Sequence, residues 1–244
     1  MKKFLNVFAF IIMIVMNYLA NALPINGMTT GELSDNYPNL FVPTGLTFSI
    51  WGVIYLLLAI CCVLQFFPQF KNYEKKMGWW FIVSSTLNGF WIITWHYQML
   101  LLSLLVMAGL LITLIAINRK LIFEPNNTFK AAFGIYLGWI CIATIANVTA
   151  LLVHLQWNGW GISDQTWAIA LIGIGLIITS ITILKLNNPF IGLAVAWAFL
   201  GIAIKRSSDY RTIYLAAIIA TTISVAVLIY TYFVKISVKN RPLS

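Results

Sequence analysis

The chain has 244 residues, of which 61% are hydrophobic and 9% charged, and its mean hydropathy is +0.91. A water-soluble domain carries about 25% charged residues, so a soluble surface is excluded for most of this sequence. Fifteen Lys and Arg stand against six Asp and Glu. They sit in short clusters between apolar runs, which excludes a nucleic-acid-binding stripe and makes them topology markers.

A spanning helix needs about 20 mostly apolar residues. Eight segments meet that requirement approximately: Phe4–Leu23, Thr44–Phe67, Gly78–His96, Met99–Ile117, Ala131–Leu155, Thr166–Leu184, Pro189–Ile204 and Thr212–Val234. Helix breakers separate them, among them Pro24, Asn26-Gly27, Pro68, Glu124-Pro125, Asn158-Gly159 and Asn187-Asn188-Pro189. The runs are too long for barrel strands, and backbone in lipid must satisfy its own hydrogen bonds. The expected fold is all-α, a polytopic transmembrane helix bundle of about eight helices.

With the N-terminus cytoplasmic, twelve of the fifteen positive charges fall on the inner side, from Lys2 and Lys3 through Lys71, Lys75 and Lys76 to Lys235, Lys239 and Arg241. Lys205, Arg206 and Arg211 are the exceptions, and they depend on whether Pro189–Ile204 fully crosses. This predicts a multi-pass cell-membrane protein. Lys2-Lys3, an apolar stretch and Ala20-Asn21-Ala22 also match a signal peptide, whose cleavage would leave seven helices. Cys61, Cys62 and Cys141 lie within apolar runs and read as packing residues. Trp79, Trp80, Trp95, Trp157, Trp160 and Trp167 gather at the expected interfaces, as an aromatic belt does.

Inside the spans the chemistry is sparse. The six acidic residues fall between them and no Lys or Arg lies mid-span, which removes the usual groups for a proton relay or for paired-carboxylate catalysis. Ser84, Ser85 and Thr86 are expected to bond neighbouring helices. His96 and His154 could ligate a metal but have no third ligand at a recognisable spacing, so no metal site is expected. What remains is a set of aromatics and amides: Trp51, Tyr55, Asn88, Trp91, Tyr136, Trp139 and Asn147. At helical rise, Trp51, Trp91, Asn88 and Asn147 fall roughly 9–14 Å below the outer surface, with Trp139 about two turns deeper. Such a group suits an apolar pocket for a flat ligand. Composition alone leaves ordinary helix packing, with Asn as interhelical glue, equally open.

Those residues carry a resemblance. Pro43-Thr-Gly-Leu-Thr-Phe-Ser-Ile-Trp51-Gly52-Val-Ile-Tyr55, Leu87-Asn88-Gly89-Phe90-Trp91, and Tyr136-Leu137-Gly138-Trp139 followed by Ala143-Thr144 and Asn147 resemble motifs of the second, third and fifth helices of the TspO/MBR family. These are the tryptophan-rich sensory proteins, related to the mitochondrial translocator protein or peripheral benzodiazepine receptor. The resemblance covers residues 1–156 as a five-helix bundle and leaves 157–244 as three additional transmembrane helices; it also implies that the first helix is retained. Leu40 and Val42 replace the Trp and first Pro of the family's W-x-P-P, and Ile135 replaces its Pro.

The resemblance implies an intramembrane pocket for a porphyrin-, tetrapyrrole- or sterol-like ligand, with Trp51 and Trp139 stacking on it and Tyr55, Asn88, Trp91, Tyr136 and Asn147 shaping it. It implies a sensory or regulatory role, no required cofactor but porphyrin or haem as ligand, lipid and a hydrophobic small molecule as partners, and a homodimer. Binding is expected rather than catalysis. The alternatives are a small-molecule transporter and a porphyrin-degrading membrane enzyme.

Overall fold

The computed structural model describes residues 2–23 and 25–239. Pro24 and Arg241, a break and a charge marker above, lie outside the described residues, as do the side chains of Glu74, Val234, Lys235 and Lys239. Among the described residues there are α-helices and short 3-10 turns, and no strand. The helices are α1 (Lys2–Ala22), α2 (Thr30–Asp35), α3 (Ile50–Leu64), α4 (Lys71–His96), α5 (Leu100–Leu121), α6 (Asn127–His154), α7 (Asp164–Leu186), α8 (Phe190–Arg206) and α9 (Arg211–Lys239).

The long helices alternate in direction. One end of the bundle holds Lys2, Lys3 and the 65–76, 122–126 and 187–189 connections; the other holds 23–44, 97–99, 155–163 and 207–210, and is called the upper end below. At the lower end Asn6 Nδ2 donates to Gln65 Oε1 at 2.9 Å and the backbone N–H of Asn126 to Tyr73 Oη at 3.2 Å. At the upper end Asn26 Nδ2 donates to the His96 carbonyl at 3.2 Å and Tyr37 Oη to Gln98 Oε1 at 3.1 Å.

Among the described residues six segments are long and apolar enough to cross a membrane, against the eight expected: α1, Gly45–Leu64, α5, α6, α7 and residues Arg211–Phe233 of α9. The two that fall short do so for local reasons. Helix α8 has 17 residues, and α4 carries Asn88, Ser84, Ser85, Thr86 and four tryptophans, which lower its mean hydropathy. Both still join the two ends. Helix α8 starts beside Asn118 and Lys130 at the lower end, through Asn188, and finishes with Arg206 bonded to Asn39 and Leu40 at the upper.

Helix limits also differ from those expected, because caps extend them past the apolar runs. Asn126 Oδ1 accepts from Thr128 N at 2.8 Å and starts α6 before Ala131; Ser163 Oγ accepts from Thr166 N at 3.3 Å and starts α7. Helix α4 begins at Lys71 and kinks at Gly78. Acidic residues expected between spans therefore sit in helices: Asp164 opens α7, and Glu32 closes a capping box with Thr29 in α2. The Thr29 backbone N–H bond holds the Glu32 carboxyl below its ordinary pKa. Lys130 lies inside α6, buried, with Nζ donating to the Ile122 carbonyl at 2.6 Å.

Burial follows the bilayer logic of helices apolar all round. Helix α1 turns Asn6, Met13, Asn17 and Ala20 inward while Phe4, Phe8, Ile11, Ile12 and Val15 stay exposed. Continuous apolar surface of that kind is tolerated in lipid and not in water. The three cysteines are buried and unpaired, as expected. Ser84 Oγ donates to Phe81 O within its own helix at 2.9 Å, so it does not bridge helices as expected.

Close approach of helices depends on glycine, as is usual where lipid leaves packing as the main driving force. Gly134 and Gly138 put the backbone of α6 against Asn188 and α8; a Cβ on Gly138 would lie 2.3 Å from the Ile191 carbonyl oxygen. At the other end of α8 a Cβ on Gly201 would lie 2.1 Å from Thr47 Oγ1, so α8 also touches the start of α3. Three further bonds tie the upper end of α8 to the segment that precedes α3. Thr44 N donates to Gly201 O at 3.3 Å, Trp197 Nε1 to Thr47 O at 2.9 Å, and Arg206 Nη2 to Asn39 O at 2.9 Å.

These bonds account for two of the three positive charges that break the charge pattern. Lys205 pairs with Asp35 at 2.9 Å and Arg206 with Asp209 at 3.0 Å, so each charge is offset where it stands. Replacing Arg206 with Leu removes donors to two backbone carbonyls. The 36–44 segment should then be cut by protease several-fold faster than in the parent protein in detergent, with cleavage mapped by mass spectrometry; an unchanged rate would show that Arg206 does not hold it.

Candidate functional site

Trp51 is the centre of the site. It begins the first turns of α3, where the 3-10 turn Gly45–Ser49 swings the chain in beneath the upper end. Its ring stacks on Tyr55 one turn below, with centroids 5.4 Å apart and planes at 19°. Trp91 of α4 lies 6.4 Å away. Tyr136 and Trp139 of α6 meet it edge-on at 5.8 and 6.2 Å. Phe48 closes the group against Trp139 at 5.7 Å, and Trp95 stacks on Trp91 at 5.8 Å. Offset and edge-to-face contacts of this sort are the preferred aromatic geometries.

Amides bind the ring cluster together. Asn17 Nδ2 of α1 donates to Asn88 Oδ1 at 2.7 Å, and Asn88 Nδ2 donates to Tyr136 Oη at 2.8 Å. One buried relay thus crosses α1, α4 and α6. A second has Asn147 at its node: its Oδ1 accepts from Trp91 Nε1 at 3.1 Å and from Ser103 Oγ at 3.0 Å. The seven residues singled out in the sequence therefore lie in one contiguous cluster. Two of them keep a buried polar atom without a hydrogen-bond partner in the protein, Tyr55 Oη and Trp139 Nε1. Such atoms are costly in an apolar interior and offer a ligand a donor or acceptor.

Two cavities meet at Trp51. The inner one, about 40 Å³, lies among Thr30, Phe48, Trp91, Trp95, Trp139 and Asn147, and Thr30 Oγ1 on its wall also has no partner. It is smaller than any ring system and suits a small polar group or a water or two. The outer one, about 290 Å³, is a half-open cleft between α1 and α3 lined by Ile14, Asn17, Tyr18, Asn21, Phe48, Trp51 and Tyr55. It stands at the lower limit of small-molecule sites, about 300 Å³. Among the expected ligand-binding residues, only Trp51 and Tyr55 line this cleft, whereas Asn88 and Tyr136 serve as its framework.

A family model described as TSPO-like protein matches residues 3–230. The chain belongs to this TSPO-like family. The match continues past residue 156, so it takes in α7, α8 and most of α9 as well as the helices that carry the motifs. No curated protein and no solved structure matches the chain.

In this TSPO-like chain several residues at the site were not expected from the sequence. Asn17 and Asn21 line the cleft and face it from α1, four residues apart and so on one helix face. Asn6 and Asn17, eleven residues apart and both buried, are about three turns from each other, a spacing that could have marked the inward face of α1. Phe48 and Thr30 reach the site from segments with no periodicity to read. The histidines take no part: His96 is buried with Nδ1 2.9 Å from the Ile92 carbonyl, His154 packs its ring 6.1 Å from Tyr37, and among the described residues no group of three metal-ligating side chains occurs.

Proposed function

We propose that this integral membrane protein binds a flat, largely apolar ligand of the porphyrin or sterol type, received from the side of the bundle between α1 and α3 and held against Trp51 and Tyr55. One observation carries the reading. Trp51, with Phe48 and Thr30, lines both the cleft and the smaller inner cavity, and its stacked pair with Tyr55 presents aromatic surface to the cleft. A planar ligand gains burial and stacking there, while Asn17, Asn21 and the Tyr18 hydroxyl supply polar groups for its periphery. The rest of the cluster keeps Trp51 fixed, so binding costs little ordering. A sensory or regulatory role follows as the use of such a site. Porphyrin or haem would then be ligand rather than resident cofactor.

Titration of the purified protein in detergent with protoporphyrin IX, read by tryptophan quenching, tests this. Trp51→Ala should weaken binding about tenfold or more, since it removes the stacking surface and its burial. Trp79→Ala, at a ring 58% exposed on the outside of the bundle, should leave affinity as it was. Equal affinity of the Trp51→Ala and Tyr55→Ala proteins with the parent would refute the cleft as the site. Uptake of a substrate into proteoliposomes would point to transport, and light-dependent loss of the porphyrin absorption band would point to a degrading enzyme.

A further inference from the structure

A third and larger cavity, about 470 Å³, opens at the upper end between α6 and α7, away from the Trp51 cleft. Its origin is in the packing. Gly175 lets α7 approach Ile142 and Ile145 of α6 in mid-span, and the recess is lined by the parts of both helices above that contact. Leu152 of α6 and Leu171 of α7 form its apolar walls, and Asn39 and Leu40 of the 36–44 segment form its far side.

The mouth is made of indoles and one carboxylate. Trp157, Trp160 and Trp167 touch one another with ring centroids 5.2, 5.2 and 5.9 Å apart. They are held in an unusual way. Gly159, Trp160 and Gly161 are consecutive left-handed residues, with φ of 63°, 54° and 74°, a conformation that costs a non-glycine residue. Asn158 Oδ1 accepts the Trp160 N–H at 3.1 Å and Trp167 Nε1 donates to Gly159 O at 3.0 Å, which fixes the turn. The turn leaves the Trp160 ring 75% exposed beside the cavity. Asp164 lies on the same lining, and no Lys or Arg does. Among the described residues its carboxylate has no ion-pair partner.

A belt of anchoring tryptophans needs neither a cavity nor an unpaired acid. Indole faces attract organic cations through the ring quadrupole, a carboxylate adds direct attraction, and an apolar recess of this size takes the rest of such a molecule. We propose that this recess is a binding site for an organic cation with an apolar body, a quaternary or tertiary ammonium compound, whose charged head rests on the Trp157–Trp160–Trp167 group beside Asp164 and whose body lies between α6 and α7. It is independent of the Trp51 cleft.

The test uses the full chain in an uncharged maltoside detergent and isothermal titration calorimetry. Benzyltrimethylammonium is the probe and N,N-dimethylbenzamide its uncharged, water-soluble counterpart. The cation should bind at least about tenfold more tightly than the amide to the parent protein, and Asp164→Asn and Trp160→Ala should each weaken it by about fivefold. Both side chains are exposed, so both variants should keep the parent melting temperature. Equal binding of cation and amide to the parent protein, which involves no variant, would overturn the proposal, as would unchanged cation affinity in both variants.

Discussion

Gly138→Ala should lower stability by about 2–4 kcal/mol, or about 5–15 °C in melting temperature, an unusual loss for one added methyl group. The methyl has nowhere to go. It would lie 2.3 Å from the Ile191 carbonyl oxygen and 3.1 Å from Ala194 Cβ, and the first of these belongs to backbone that cannot rotate away. Glycine to alanine normally favours a helix by about 1 kcal/mol, so the expected loss is already net of that gain. Gly52→Ala is the matched control, because a Cβ at Gly52 meets nothing within 4 Å; it should be neutral or slightly stabilising. Thermal unfolding in detergent, followed by size-exclusion of the heated samples, would check both. A Gly138→Ala protein as stable as the parent would mean that α6 and α8 do not pack as described.

Asn88→Leu should cost about 2–4 kcal/mol by a different route. Asn88 has no exposed surface and stands between Asn17 and Tyr136, accepting from one and donating to the other. Leucine keeps the volume and the apolar character but leaves an amide and a hydroxyl buried without their partner, at about 1–3 kcal/mol each. Single hydrogen bonds between membrane helices average nearer 0.6 kcal/mol, because the unfolded chain in lipid also finds partners; a two-bond relay sits between these limits. A double-mutant cycle separates the contributions. In a Tyr136→Phe background, Asn88→Leu should cost about 1 kcal/mol less than in the parent. Strict additivity would show that the relay does not act as a unit. The same substitution should weaken the porphyrin titration only modestly, since Asn88 supports Trp51 without lining the cleft.

The sequence carried the relative height of Trp51, Asn88, Trp91 and Asn147 along their helices, because helical rise turns residue number into distance along a span, and the structure joins them in one cluster. It also gave the helices that bear them. Height does not fix direction, and Asn17 illustrates the difference. A single amide in an apolar run has no periodic contrast around it, so its partnership with Asn88 emerges only when α1 packs on α4. The division of space into a small inner cavity and a larger cleft, both lined by Trp51, depends on side-chain directions that no spacing encodes. Helix α8 was hardest to read. Its 17 residues are short for a span, and its end charges oppose the topology pattern until Asp35 and Asp209 are seen beside them.

The tie between α8 and the 36–44 segment bears on time rather than on strength of binding. Val42 and Pro43 form part of the inner cavity wall, while Lys205 and Arg206 reach that segment's carbonyls across as many as 167 positions of sequence. How fast water or a small polar group exchanges with the inner cavity would then be governed partly by residues that never touch it, so substitutions near the end of α8 would alter that exchange while the cleft between α1 and α3 keeps its shape.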